Sequence, residues 1–264
     1  MDGARNMLLS TCKERNLRKK DPNVEDENHT FLGTTADIDA GGSGSLGSST
    51  KKICYWRDQS DTQRWLTHTS YRPSTIFGTR VMFSQAASFM YQEDNAILQT
   101  IDPSKNLYIR FKLYHIMADG VKDDYVFYHS LMPDGSTHLK LGLRVVDPNS
   151  TTAAEFANRY AFAEWSDIDG VVHVLECKDT LLLNNNQFEL KFFLYHEKMQ
   201  IEVTPYRGDP VMYSENTNYI PSAEYGKVIL GADRENPTKQ QTFNGLIFRV
   251  GYGNDINTRP PVPD

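Results

Sequence analysis

The sequence predicts an all-β fold, an antiparallel β-sandwich preceded by a disordered N-terminal tail, and three observations lead there. From residue 51 onward, aromatic and β-branched residues fall in short stretches separated by Gly, Pro, Asn and Asp, the vocabulary of strands and turns. The stretches come in successive pairs around tight turns, with no long helical pattern between them to carry a crossover to a parallel strand. Residues 1–50 have a different composition. Residues 13–20 carry five basic residues and one acidic, residues 21–39 carry six acidic residues and no Lys or Arg, and eight of the ten residues 41–50 are Gly or Ser. Ordering such a linker costs much entropy. The chain is therefore divided into a charged tail and linker over 1–50 and a single sandwich domain over 51–264.

The first clear strand is residues 107–116. Its alternation places Leu107, Ile109, Phe111 and Leu113 on one face and Tyr108, Arg110, Lys112 and Tyr114 on the other, which reads as a core face and an amphipathic face. Residues 125–129 and 138–146 flank Pro133-Asp134-Gly135-Ser136, a turn sequence that makes them a hairpin. A second hairpin joins residues 159–165 to 171–177 through Ser166-Asp167-Ile168-Asp169-Gly170, although residues 153–163 also fit a short helix. A third pairs residues 188–195 with 199–204 across His196-Glu197-Lys198. Residues 228–232 and 245–251 close the sandwich, with Leu246, Phe248 and Val250 alternating against Ile247, Arg249 and Gly251.

Composition excludes several classes. There are 28 Lys+Arg against 34 Asp+Glu, a net charge of -6, and this mildly acidic balance gives the folded part no general attraction to nucleic acid. Mean hydropathy is -0.54, and no apolar run reaches the ~18 residues of a membrane span. Cys12, Cys54 and Cys177 are far apart, with neither CxxC spacing nor neighbouring His, so zinc has no support and no cofactor is implied. The apolar part of the N-terminus, Met7-Leu8-Leu9, is too short for a secretory signal. The expected location is cytoplasmic or particle-associated.

The run Val228-Ile229-Leu230-Gly231-Ala232, followed after a polar loop by Thr242-Phe243-Asn244-Gly245-Leu246-Ile247-Phe248-Arg249-Val250-Gly251-Tyr252, resembles the closing strands of the concanavalin A-like lectin/glucanase superfamily. It is most similar to the laminin G-like jelly rolls, clearly over 188–254 and loosely over 70–187. The resemblance implies a jelly-roll sandwich, with Gly245 at a tight bend into the last strand. It carries over no catalytic residue. The superfamily's hydrolases place two Glu around an Asp on one strand face, whereas Glu164 and Asp167 fall on opposite faces.

Candidate sites are few. Asp167 and Asp169 occupy the third and fifth positions of a calcium-loop pattern that begins on Trp165 instead of a carboxylate, so they are metal candidates in what an Asp-Gly turn also explains. Tyr213, Asn216, Asn218 and Tyr219 form a polar aromatic loop that could stack on a sugar or pack against a protein. Arg207-Gly208-Asp209 is the tripeptide read by integrins when it is displayed on an exposed loop, in a place where a turn needs Gly and Asp anyway. No Gly-x-Ser-x-Gly or His-Glu-x-x-His motif is present. The expectation is a non-enzymatic recognition module that binds a glycan or a protein through its loops. The alternative is a structural or assembly protein, such as a virion-surface or cytoskeletal component, displaying the sandwich on its tail. A hydrolase built on another pair of carboxylates stands third, and it requires a pocket with two carboxyl groups.

Overall fold

The structure, a computed structural model, describes residues 29–38, 50–58, 65–68, 74–76, 80–83, 90–92, 107–115, 123–150, 152, 158–182, 186–194, 198–216, 226–234 and 243–253. Among the described residues every regular element is a strand: β1 (His29–Ile38), β2 (Thr50–Asp58), β3 (Trp65–His68), β4 (Ser74–Ile76), β5 (Arg80–Phe83), β6 (Met90–Gln92), β7 (Leu107–His115), β8 (Tyr125–Leu131), β9 (Thr137–Val145), β10 (Arg159–Ser166), β11 (Val172–Glu176), β12 (Gln187–Leu194), β13 (Lys198–Pro205), β14 (Val211–Asn216), β15 (Val228–Leu230) and β16 (Gly245–Gly253).

They form two antiparallel sheets. One runs β2-β4-β5-β16-β7-β12-β13-β14, with β1 pairing both β16 and β2; the other runs β6-β15-β8-β9-β10-β11. Strand β3 joins the two, pairing β2 on one side and β6 on the other.

The inner faces meet in one core. Ile109, Phe111 and Leu113 of β7, Leu190 and Phe192 of β12, and Ile201 and Val203 of β13 oppose Tyr125, Phe127 and Tyr128 of β8, Leu139, Leu141 and Leu143 of β9, and Trp165 of β10. Phe111 meets the edges of Phe127 and Tyr128 at 5.0 and 5.8 Å between centroids, the edge-to-face geometry that aromatic quadrupoles favour. The alternation expected for β7 is observed over Ile109 to Leu113, which switch between buried and half-buried. The three hairpins are present as antiparallel pairs β8–β9, β10–β11 and β12–β13. The chain is strand from Arg159, while residues 153–157 lie outside the described residues.

Within the stretch read as tail, residues 29–38 form β1, whose Phe31 pairs Val250 of β16; Thr, Phe and Ile supply strand-forming residues there despite the acidic neighbourhood. Two expectations are corrected. The last strand does not alternate in one phase, because a bulge lies between Ile247 and Arg249. The extra residue resets the pleat, so Ile247 and Val250, paired with Leu113 and Phe111, both enter the core while Phe248 is only half-buried. Gly245 is required by close approach instead of by a bend: a Cβ there would lie 2.3 Å from the Tyr114 carbonyl oxygen and 2.6 Å from the Phe243 ring.

The amphipathic face of the first sheet is an ordered charge ladder. Arg110 clamps Glu189 through two hydrogen bonds of 2.9 and 3.1 Å, and Lys191 donates to Glu202 at 2.5 Å. Glu202, Gln200 and Phe193 are all buried on it. Over β12 and β13 this face is covered, not an open groove.

Candidate functional site

The outer face of the second sheet carries the other polar cluster, and cross-strand register assembles it. Arg144 of β9 lies opposite Tyr160 of β10, and Lys140 opposite Glu164. Glu176 on β11 pairs Phe162, the residue between them. Strict alternation puts all of these on the face away from the core. Gly142, opposite Phe162, leaves the space that the aromatic ring fills, since a Cβ would meet that ring at 2.6 Å. The Arg144 guanidinium then stacks over the same ring at 4.2 Å.

Held flat, the guanidinium binds three carboxylates. It donates to Asp124 through Nε and Nη2 at 3.1 and 2.9 Å, to Glu176 through Nη1 at 2.8 Å and to Glu164 through Nη2 at 3.3 Å. The Tyr160 hydroxyl donates to Glu176 Oε1 at 3.0 Å. Lys178 caps the other Glu176 oxygen at 2.6 Å, and Lys140 holds Glu164 at 2.8 Å. Beside this network is a cleft of about 270 Å³ lined by Asp124, Arg144, Val145, Val146, Pro148 and Tyr160.

The electrostatics divide the groups. Burial raises the Glu176 carboxyl, but the hydrogen bonds from Lys178, Arg144 and Tyr160 outweigh it and hold the group at about 2. Burial, with the Glu176 acceptor adding to it, pushes the Tyr160 phenol up to about 12. Near neutrality Glu176 is therefore ionised and Tyr160 protonated. Burial disfavours the Arg144 cation, yet Asp124 and Glu176 more than compensate and raise its pKa.

The residues singled out from sequence lie elsewhere. Asp167 closes the β10–β11 turn: its Oδ1 accepts the backbone N–H groups of Asp169 and Val171 at 3.0 and 2.9 Å, and its Oδ2 lies 2.8 Å from His173 Nε2. Asp169 is exposed. Among the described residues no three His, Cys, Asp or Glu side chains are grouped to hold a metal ion. Tyr213 is on strand β14 instead of a loop, because residues 211–216 pair with β13, and its hydroxyl meets Thr180 Oγ1 at 2.5 Å. Of its proposed companions, Asn216 ends β14, and Asn218 and Tyr219 lie outside the described residues. The Asp124, Arg144, Tyr160 and Glu176 cluster has a faint sequence signal, a charged or phenolic residue at every alternate outer position of neighbouring strands. Only the pairing register shows that these positions coincide.

No known protein family matches the sequence, and no curated protein matches it. Solved structures share its sandwich architecture. The receptor-binding domain of botulinum neurotoxin mosaic serotype C/D superposes with a TM-score of 0.51 at 11% identity, over 87% of this chain and 48% of that one, so the chain spans about half that protein's length. The NanB sialidase of Streptococcus pneumoniae gives 0.47 at 13% identity, covering 70% of this chain and 28% of that. The alginate lyase of Klebsiella pneumoniae gives 0.44 at 8%, covering 89% and 98%. These are fold likenesses. A sialidase and an alginate lyase stand among them, against the expectation of a non-enzymatic module. No described helix is long and apolar enough to cross a membrane.

Proposed function

We propose that this chain cleaves a glycosidic linkage, with one sugar unit seated in the cleft between Asp124, Arg144 and Tyr160. The observation that carries the reading is Tyr160 in the wall of that cleft, its hydroxyl bonded to an ionised Glu176 behind it, with Asp124 also lining the cleft. One carboxyl group, Asp124, lines the cleft, and a second, Glu176, serves it through the Tyr160 hydroxyl. Asp124 is the carboxylate that faces the substrate, and Glu176 is the fixed negative charge behind Tyr160. Tyr160 turns its one proton from Glu176 to the leaving oxygen as the C–O bond breaks, water adds to the anomeric carbon with its proton taken by Asp124, and that proton returns to the Tyr160 phenolate. The cleft is just below the usual range of ligand pockets, about 300–1,000 Å³, which suits a single ring. We also read the architecture as a concanavalin A-like jelly roll, supported by β16 running between β5 and β7 in the middle of its sheet.

The test is a panel of neutral and acidic polysaccharides, followed by reducing-end release and by ultraviolet absorbance of unsaturated products. Reducing ends are expected from at least one substrate, and Tyr160→Phe and Glu176→Gln are each expected to slow release by about 10²-fold or more with far-ultraviolet circular dichroism unchanged. A silent panel, or two variants as active as the parent, overturns the proposal.

A further inference from the structure

The β13–β14 turn presents a feature that glycan cleavage does not use. Residues 206–210, Tyr206-Arg207-Gly208-Asp209-Pro210, are all exposed, and they project at the tip of a hairpin whose strands pair from Val203↔Val211 back to Lys198↔Asn216. The tip is fixed by its own chemistry. The Gly208 N–H donates to the Pro205 carbonyl at 3.1 Å, and Arg207 occupies the left-handed region at φ 59. Proline brackets the segment, and Pro210 keeps Asp209 out of the helical region. A Cβ on Gly208 would stand 3.1 Å from the Pro205 ring, so the turn accounts for the glycine.

The turn does not account for the two charges. Three other aspartates of this protein cap their own turns: Asp134 accepts the Ser136 N–H, Asp147 the Asn149 N–H and Asp167 the Asp169 N–H. Asp209 accepts nothing from the described residues. Arg110, Arg144, Arg159 and Arg234 each donate to an oxygen, whereas among the described residues the Arg207 guanidinium meets only the Tyr206 ring, 5.0 Å below it. A stacked cation and a solvated carboxylate, two residues apart on a proline-bracketed tip, are held in place before any partner arrives.

We infer that Arg207-Gly208-Asp209 is a docking site for a receptor that presents a bound divalent cation beside an acidic pocket, the cation taking the Asp209 carboxylate and the pocket the Arg207 guanidinium. This is the recognition chemistry of Arg-Gly-Asp-reading integrins. A hard cation takes carboxylate oxygen as a ligand, and a guanidinium forks onto carboxylates. The site lies on the β13–β14 hairpin, apart from the residues that line the cleft, and does not rest on the enzymatic proposal.

The experiment immobilises an integrin ectodomain of this class and measures binding of the full chain in manganese and in EDTA. Saturable binding is expected in manganese, abolished by EDTA and displaced by a free Arg-Gly-Asp peptide but not by an Arg-Gly-Glu peptide. Asp209→Glu keeps the charge on an exposed side chain and lengthens the arm by one methylene. It should bind at least about tenfold more weakly, the scale of loss when an interface anchor no longer fits its site, with an unchanged denaturation midpoint. No binding by the parent, binding that survives EDTA, or an Asp209→Glu variant that binds like the parent overturns the inference.

Discussion

Arg144 illustrates how one side chain can organise a surface. Its stacking on Phe162 removes rotamer freedom, so three carboxylates are recruited to a guanidinium that is already fixed. The pH dependence of stability should show this. Glu176 sits at about 2 in the folded chain against an ordinary 4.5, so its contribution is fully present above the ordinary value and is lost as pH falls through the folded one. Urea midpoints of the parent should fall between about pH 4.5 and 2, and Glu176→Gln should flatten that part of the profile; parallel profiles would refute the assignment. Arg159 is a different case. It is buried, lies 3.7 Å over the Tyr125 ring and donates to the carbonyls of Asp123 and Leu143, while burial lowers its pKa to about 10. Arg159→Ala should cost about 3–5 kcal/mol in equilibrium unfolding, because it opens a cavity and strands those carbonyls. Arg159→Met, which keeps most of the volume, should cost less.

Among the elements, β16 depends most on its neighbours. It pairs β5 and β7 and carries the bulge that lets Ile247 and Val250 share the core. With the Tyr114 backbone so close to Gly245, Gly245→Ala should destabilise the fold by about 1–3 kcal/mol, and a neutral result by urea titration would show that β7 and β16 can separate at this point. The β10–β11 turn depends on Asp167, whose pKa is lowered first by the His173 hydrogen bond. Its capping is therefore present at neutral pH and weakens once acid protonates the carboxylate. Asp167→Ala should speed amide hydrogen exchange over residues 167–173 and leave β8–β9 unchanged. Hairpins such as β8–β9 and β12–β13 were legible because a turn sequence and two alternating stretches lie side by side in the chain. The bulge in β16 was not, since nothing local distinguishes Phe248 from its neighbours; Leu113 and Phe111, far away in the sequence, fix which residues turn inward.

For the whole molecule, the pairing of β1 with β16 joins sequence-distant parts of the chain. Removing residues 1–39, and β1 with them, should lower the thermal midpoint, whereas a dispensable tail would leave it in place. Pairings of such long range also make folding slow, on the order of milliseconds to seconds, and a microsecond refolding phase carrying the full amplitude would contradict this topology.

By itself the sequence determined the strand class, the main hairpins and the core faces, because period-two alternation and turn chemistry are local properties. It also displayed Arg207-Gly208-Asp209, which needs no partner in the fold to be read. Tertiary structure alone decided that β1 belongs to the sandwich, that one polar face is covered, and that Asp124, Arg144, Tyr160 and Glu176 share one hydrogen-bonded network beside a cleft. Those outcomes depend on register between strands, which is set by the packing of residues distant in the chain and leaves no mark within a short window of sequence.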